Sequence, residues 1–275
     1  MGAGIVEVAA RAGFDVVVRE AGAMFLEKGL SRVKTSLFTA AEKGKISAED
    51  RDRAWSRIRG TLDLADLADC DIAIEAITED PKAKRELFAA LDKVLKPGAI
   101  LASNTSSISI TEMAAATSRP ERFLGLHFFN PVPVMKLLEI VRGLRTSDET
   151  IAAARAFGER LGKTTIIAKD SPGFIVNLLL VPYLLGAVRA LEGGLATKED
   201  IDAGMKLGCN HPMGPLTLLD YVGLDTTLFI ADVMFAEFKS PEYAAPPLLR
   251  RMVAAGFHGR KAGRGFYDWS SGQPR

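Results

Sequence analysis

Short apolar runs alternate with amphipathic helical stretches through the first 169 residues and then cease, and this change of period constrains the fold more than any other feature of the sequence. Phe14–Val18 (FDVVV), Asp71–Glu75 (DIAIE), Ala99–Ser103, Phe123–Phe128, Lys136–Val141 and Thr164–Ala168 read as strands. Between them Gly2–Ala12, Ala23–Ala41, Ala48–Ile58, Pro81–Leu95 and Asp148–Leu161 read as helices. Strands that are apolar on both faces must be covered on both faces, so the pattern predicts a parallel sheet between two layers of helices. From Pro172 onward the period is almost wholly helical, with breaks at Gly193-Gly194 and at His211–Pro215. The expected architecture is therefore α/β and doubly wound over residues 1–169, followed by an all-helical domain over residues 170–275. A chain of 275 residues is long enough for two cores.

The composition excludes several classes. With 48% hydrophobic residues, 25% charged residues and a net charge of +1, the chain lacks the basic excess of a nucleic-acid binder, and no such partner is expected. Its longest apolar stretch, Phe174–Val188, is interrupted by Asn177 and Pro182 and falls short of a membrane span. No membrane association is expected. Cys70 and Cys209 follow neither a metal nor a redox spacing, so no metal is expected and a reducing cytoplasm is the default location. No charged-then-apolar leader opens the chain, so no secretory signal is read.

Three segments carry candidate chemistry. A dinucleotide site needs a glycine-rich turn leading into a helix N-terminus that faces the pyrophosphate, and an acid about 20 residues on for the ribose hydroxyls. Gly2 stands where the third glycine of G-x-G-x-x-G falls, and Glu20 ends the next strand. Any helix followed by any strand would look the same. Ser103–Ile110 (SNTSSISI) lies at the C-terminal end of a strand, where open parallel sheets bind ligands. Ser106 and Ser107 could bond a ligand there, or simply cap a helix. Gly125–Ile140 (GLHFFNPVPVMKLLEI) delivers His127 at the end of an apolar strand, Asn130 on a proline-stiffened loop and Glu139 on the next strand. A histidine base held by a carboxylate suits removal of a proton from an alcohol during hydride transfer. A lone histidine in such a strand is more often a core residue, and Glu139 could be a solvated edge carboxylate.

Taken together, SNTSSI, GLHFFNPVPVMKLLEI, DSPGFIVN (170–177), HPMGPLTLLDYVGLDT (211–226) and GRKAGRGFYDW (259–269) closely resemble the signatures of the L-3-hydroxyacyl-CoA dehydrogenase family, in the family's order along the whole chain. The resemblance implies a Rossmann-type NAD-binding domain and a helical domain that forms a homodimer. It implies oxidation of an (S)-3-hydroxyacyl-CoA to the 3-oxo thioester with NAD, as in fatty-acid β-oxidation. It further implies His127 as general base, Glu139 as its partner, Ser106 as a contact to substrate and cofactor, and Asn177 as a residue that orients the substrate. Cofactor contacts are implied for Gly2, Glu20, Glu79, Lys84, Ser106, Asn130 and Lys261.

The family begins with a strand and two earlier glycines, whereas this sequence opens one residue before the last glycine. The sheet is therefore expected to lack its first strand, with translation starting upstream of Met1, or else the chain is a truncated product of impaired activity. Two other functions stay open: a non-catalytic CoA-thioester-binding or structural relative, and a dehydrogenase of a free hydroxy or sugar acid. A basic surface for the CoA phosphates would separate the latter, and Lys28, Lys34, Lys43 and Lys45 are candidates for it.

Overall fold

In the first unit, Met1–Ser171, the apolar runs pair edge to edge while their helices cover them. The computed structural model describes all 275 residues, with Pro172–Arg275 forming the second unit. The first unit runs α1 (Gly2–Arg11), β1 (Val16–Arg19), α2 (Ala23–Glu42), α3 (Ala48–Ser56), β2 (Ile58–Thr61), β3 (Ile72–Glu75), α4 (Pro81–Val94) and β4 (Ile100–Ser103). It continues through α5 (Ile110–Ala114), β5 (Phe123–Phe128), β6 (Leu137–Arg142), α6 (Asp148–Arg160) and β7 (Thr164–Lys169). The main sheet has the order β3-β4-β5-β6-β7, and β1 pairs only with β2. No strand joins β1 to β3, so the doubly wound sheet is interrupted at the position of the expected first strand.

Two details differ from the sequence reading. The main sheet is not uniformly parallel, because β5 and β6 run antiparallel. Their connection, residues 129–136, is too short for the crossover that a parallel pair requires, so the chain must turn back on itself. The helix from Ala48 ends at Ser56 rather than at Ile58, and residues 58–61 form a strand that the sequence reading did not assign. Arg59 and Gly60 deprive that segment of an apolar signature, and it is selected by the open edge of β1, with which it pairs in parallel from Val16↔Ile58 to Arg19↔Thr61.

Local chemistry fixes the helix that matters most for the site. Asp80 accepts hydrogen bonds from the Lys82 and Ala83 amides and Pro81 occupies the first turn of α4, which sets Glu79 just before the helix and Lys84 within it. One face of the main sheet packs into a core, with Leu124, Leu126, Leu138 and Ile140 meeting Ile5 and Val8 of α1 and Phe157 of α6.

The second unit is helical: α7 (Val176–Glu192), α8 (Lys198–Gly208), α9 (Pro215–Val222), α10 (Leu224–Phe238) and α11 (Pro247–Ala254). Leu185, Val188, Leu219, Met234 and Leu249 are buried together with Phe266, Tyr267 and Trp269 of the C-terminal segment. No helix in the chain is long and apolar enough to cross a membrane.

Candidate active site

Parallel pairing brings the C-terminal ends of β3, β4 and β5 to the same edge of the sheet, and the polar residues of the unit gather there. His127 and Glu139 are direct cross-strand partners on the antiparallel pair β5 and β6. Their side chains meet with His127 Nδ1 2.6 Å from Glu139 Oε2, at 8% and 0% exposure. A carboxylate can only accept, so the imidazole donates from Nδ1, and the lone pair of the neutral ring lies on Nε2. Phe129 packs against the ring with centroids 4.5 Å apart.

The turn after β4 is held from two sides. Asn104 Oδ1 accepts from the Phe128 amide at 3.0 Å, which fixes this turn against the end of the histidine strand. Glu79 accepts from the Thr105 hydroxyl and from the Ser106 amide at 3.0 Å. Ser106 itself is half-buried at the edge of the site. Lys84, for which the resemblance implies a cofactor contact, is 1% exposed, and its ammonium lies 2.7 Å from Glu75 Oε1 and 3.1 Å from Glu79 Oε2. Its amine thus lies between two carboxylates. Glu75 is enclosed as well and accepts from the Ser103 hydroxyl at 2.6 Å.

The remaining expected residues of this unit frame the region. Gly2 opens α1, and a Cβ there would meet Ala76 at an ordinary 3.8 Å. The tight approach falls two residues later, because a Cβ on Gly4 would lie 2.9 Å from the Val132 side chain. Glu20 follows β1, half-buried, its amide bonded to Thr61 O at 3.3 Å. Asn130 is exposed at the start of the loop after β5, and a cavity lies between that loop and α1 and α2, lined by Gly4, Glu7, Arg32, Ser36 and Asn130.

In the second unit Asn177 is half-buried in the first turn of α7. Lys261 sits in the one-turn helix Arg260–Ala262, where its ammonium is 2.8 Å from Asp225 Oδ2. Burial pushes the Asp225 carboxyl up, but the bonds from Lys261 and the Thr226 amide outweigh it, and the net shift is downward.

Sequence reasoning passed over Glu75 and Asn104. An acid closing an otherwise apolar strand, as in DIAIE, is the signal that marks Glu75. Asn104 stands two residues before Ser106, and nothing local marks it out from the serines that follow.

Comparison with known proteins bears on the whole chain. Residues 1–171 match the family model for the 3-hydroxyacyl-CoA dehydrogenase NAD-binding domain, and residues 173–269 match the model for the C-terminal domain of the same family. The chain belongs to the 3-hydroxyacyl-CoA dehydrogenase family. Its relatives include the 3-hydroxybutyryl-CoA dehydrogenase of Mycobacterium tuberculosis, 52% identical over 98% of this chain and 95% of that protein. The mitochondrial hydroxyacyl-coenzyme A dehydrogenase of Homo sapiens is 46% identical over 98% of this chain and 88% of its own length. Among solved structures, (S)-3-hydroxybutyryl-CoA dehydrogenase PaaH1 from Ralstonia eutropha superposes with a TM-score of 0.93 at 48% identity, over 98% of this chain and 95% of that one. The first unit is thus the NAD-binding domain of a family member, and the protein is an NAD-dependent dehydrogenase.

Proposed function

We propose that the protein interconverts an (S)-3-hydroxyacyl-CoA and the corresponding 3-oxoacyl-CoA, with His127 as the general base. The observation that carries this reading is the buried 2.6 Å pair between His127 and Glu139 at the sheet edge. With Nδ1 committed to Glu139, Nε2 accepts the proton of the substrate hydroxyl as the O–H bond breaks. The carboxylate then stabilises the imidazolium, an effect made larger by the exclusion of water from both groups. NAD, when bound, supplies the acceptor for the hydride that leaves C3. The residues present suit that cofactor: the first turn of α1 lines the cavity beside Asn130, and a pyrophosphate site needs such a helix N-terminus, while Glu20 stands just after β1 for ribose hydroxyls.

Ser106 and Asn177 carry the roles that the family resemblance assigns them, to the hydroxyl and to the orientation of the thioester. Glu79 acts by shaping the Ser106 turn, and Lys84 acts by holding Glu79. Lys261, in the second unit, is paired with Asp225 and is carried as a cofactor contact on the family resemblance alone. We extend the proposal to residues 1–169 as the NAD-binding domain and 170–275 as a substrate and dimerisation domain. Exposed apolar side chains on the helices, Leu179 at 70% and Leu207 at 84% among them, support a homodimer. A cytoplasmic role in β-oxidation of fatty acids fits the acyl-CoA substrate.

The test is steady-state turnover of (S)-3-hydroxybutyryl-CoA and of free 3-hydroxybutyrate with NAD. We expect activity on the thioester, and a fall of at least about a hundredfold in His127→Gln with folding intact. Glu139→Gln should also slow the reaction, and the double variant should be scarcely worse than His127→Gln alone if the pair acts as a unit. Absence of turnover in the parent would leave a binding protein, and activity on the free acid alone would refute the thioester substrate.

A further inference from the structure

Lys163 is a buried lysine that forms no pair with a carboxylate. It lies between α6 and β7, is 9% exposed, and its ammonium donates to Val132 O at 2.5 Å and to Met135 O at 2.7 Å. Burial lowers its pKa, and the charge acting on it, that of Arg11, has the same sign and lowers it further. A cation in such a place is retained only where it satisfies groups that would otherwise be unpaired. Here those groups are two carbonyls of the loop between the histidine strand and the glutamate strand.

The chain geometry directs the lysine there. Gly162 takes a left-handed φ of +70°, which turns the chain out of α6, and the Lys163 amide closes that turn on Gly158 O at 3.0 Å. One residue later Thr164 begins β7 opposite Leu137, its amide donating to Lys136 O at 2.8 Å. Lys163 therefore stands directly under the loop and reaches back across it. Beside the lysine, the loop is anchored by Val132, which packs in the core, and by the Thr164 amide on Lys136 O. Pro131, Val134, Met135 and Lys136 are exposed, and among residues 130–136 only Val132 is buried. Within the loop the Val134 and Met135 amides both donate to Pro131 O, at 2.9 and 3.0 Å, so the lysine closes a tight turn that begins at Pro131, the residue after Asn130.

We propose that Lys163 is a positioning residue that latches the Asn130–Lys136 loop and thereby sets Asn130 for the cofactor. This rests on the reading of Asn130 as a cofactor contact. It predicts an effect on NAD binding rather than on the chemical step, because His127 and Glu139 are held by strand pairing that the lysine does not touch.

Fluorescence titration of the full chain with NADH, combined with steady-state kinetics, tests the proposal. Lys163→Met should weaken NADH binding and raise the KM for NAD by about tenfold, with kcat at saturating NAD within about threefold of the parent. Lys163→Arg, which keeps a charged donor, should recover part of the loss. Because the lysine acts through the loop, Lys163→Met in an Asn130→Ala background should add little to the loss caused by Asn130→Ala alone. Parent-like NADH affinity in Lys163→Met, or losses that multiply in the double variant, would overturn the role. If the methionine variant does not fold, Lys163→Gln, whose amide can donate to a carbonyl without charge, carries the same comparison. Hydrogen exchange at the Val134 and Met135 amides reads the latch without any cofactor and should quicken by about tenfold in the variant. Unchanged exchange refutes the latch itself, whereas faster exchange with no NADH binding in the parent refutes only the reading of Asn130 and its cofactor.

Discussion

Glu75 in the first unit and Asp220 in the second are equally withdrawn from solvent, at 4% and 1% exposure, yet they are met by different chemistry. Glu75 faces the ammonium of Lys84, itself enclosed, and through it is coupled to Glu79 and the Ser106 turn. Asp220 faces no cation. It accepts from the Phe266 and Tyr267 amides, both at 2.9 Å, and from the Trp269 indole at 2.8 Å. In the first arrangement a cation meets the buried carboxylate, together with the Ser103 hydroxyl and the Ile77 amide, whereas in the second only neutral donors meet it. The difference follows what each acid holds. Glu75 anchors side chains at the end of a sheet that carries the site, whereas Asp220 gathers the C-terminal segment onto the helices as one of its structural ties. Asp202 repeats the second pattern, accepting from the Leu216 amide at 2.7 Å, the Thr217 amide at 2.9 Å and the Tyr267 hydroxyl at 3.0 Å.

The largest effect is expected from removing the single cation. Lys84→Met should destabilise the first unit by about 3–5 kcal/mol, because Glu75 is left buried with neutral donors but no cation beside it. Adding Glu75→Gln should restore much of that loss, and denaturant melts followed by a probe in the first unit would show it. A Lys84→Met protein as stable as its parent would mean that the lysine does not carry the compensation. Asp220→Ala should cost about 3 kcal/mol in the second unit, since three donors lose their acceptor at once but backbone groups can relax toward water. Little or no change in the melt of that unit would show that the C-terminal segment is held by packing alone.

The smallest expected effect is a difference in pH dependence. Burial, reinforced by the like charge of Asp202, raises the Asp220 pKa in spite of the three bonds that favour the carboxylate. The native state then keeps that proton to a higher pH than the unfolded chain does. The contribution is full below the ordinary aspartate value and is lost as pH rises through the raised one. Asp92 of the first unit behaves oppositely. Burial pushes it up, but bonds from Ser118 and Arg119 outweigh that and lower its pKa, so its contribution is present above the ordinary value and lost as pH falls through the lowered one. Denaturant midpoints of the parent, Asp220→Asn and Asp92→Asn from about pH 3 to 7 should diverge from the parent in opposite directions. Slopes of the same sign would contradict the assignment.

The sequence by itself determined the class of the fold and the types of residue at the site, because both are local. Apolar runs of strand length, helix caps such as Asp80-Pro81 and the change of period after Lys169 each act over a few residues, and the order of motifs identifies the family. The same locality placed His127, Asn130 and Glu139 within one short segment, joined by a loop that forces the strands to pair and so brings histidine and carboxylate face to face. What lay outside the reach of the sequence depends on partners distant along the chain. Residues 58–61 become a strand because β1 offers an edge, not because their composition favours one. Nothing in the sequence shows that the Lys84 amine lies buried between Glu75 and Glu79. Lys163 carries no local mark, since only folding sets its ammonium against carbonyls 31 and 28 residues away. Periodicity reports which face of an element is apolar, but the environment of a charge is fixed by what the rest of the chain places around it, and only the tertiary structure decides that.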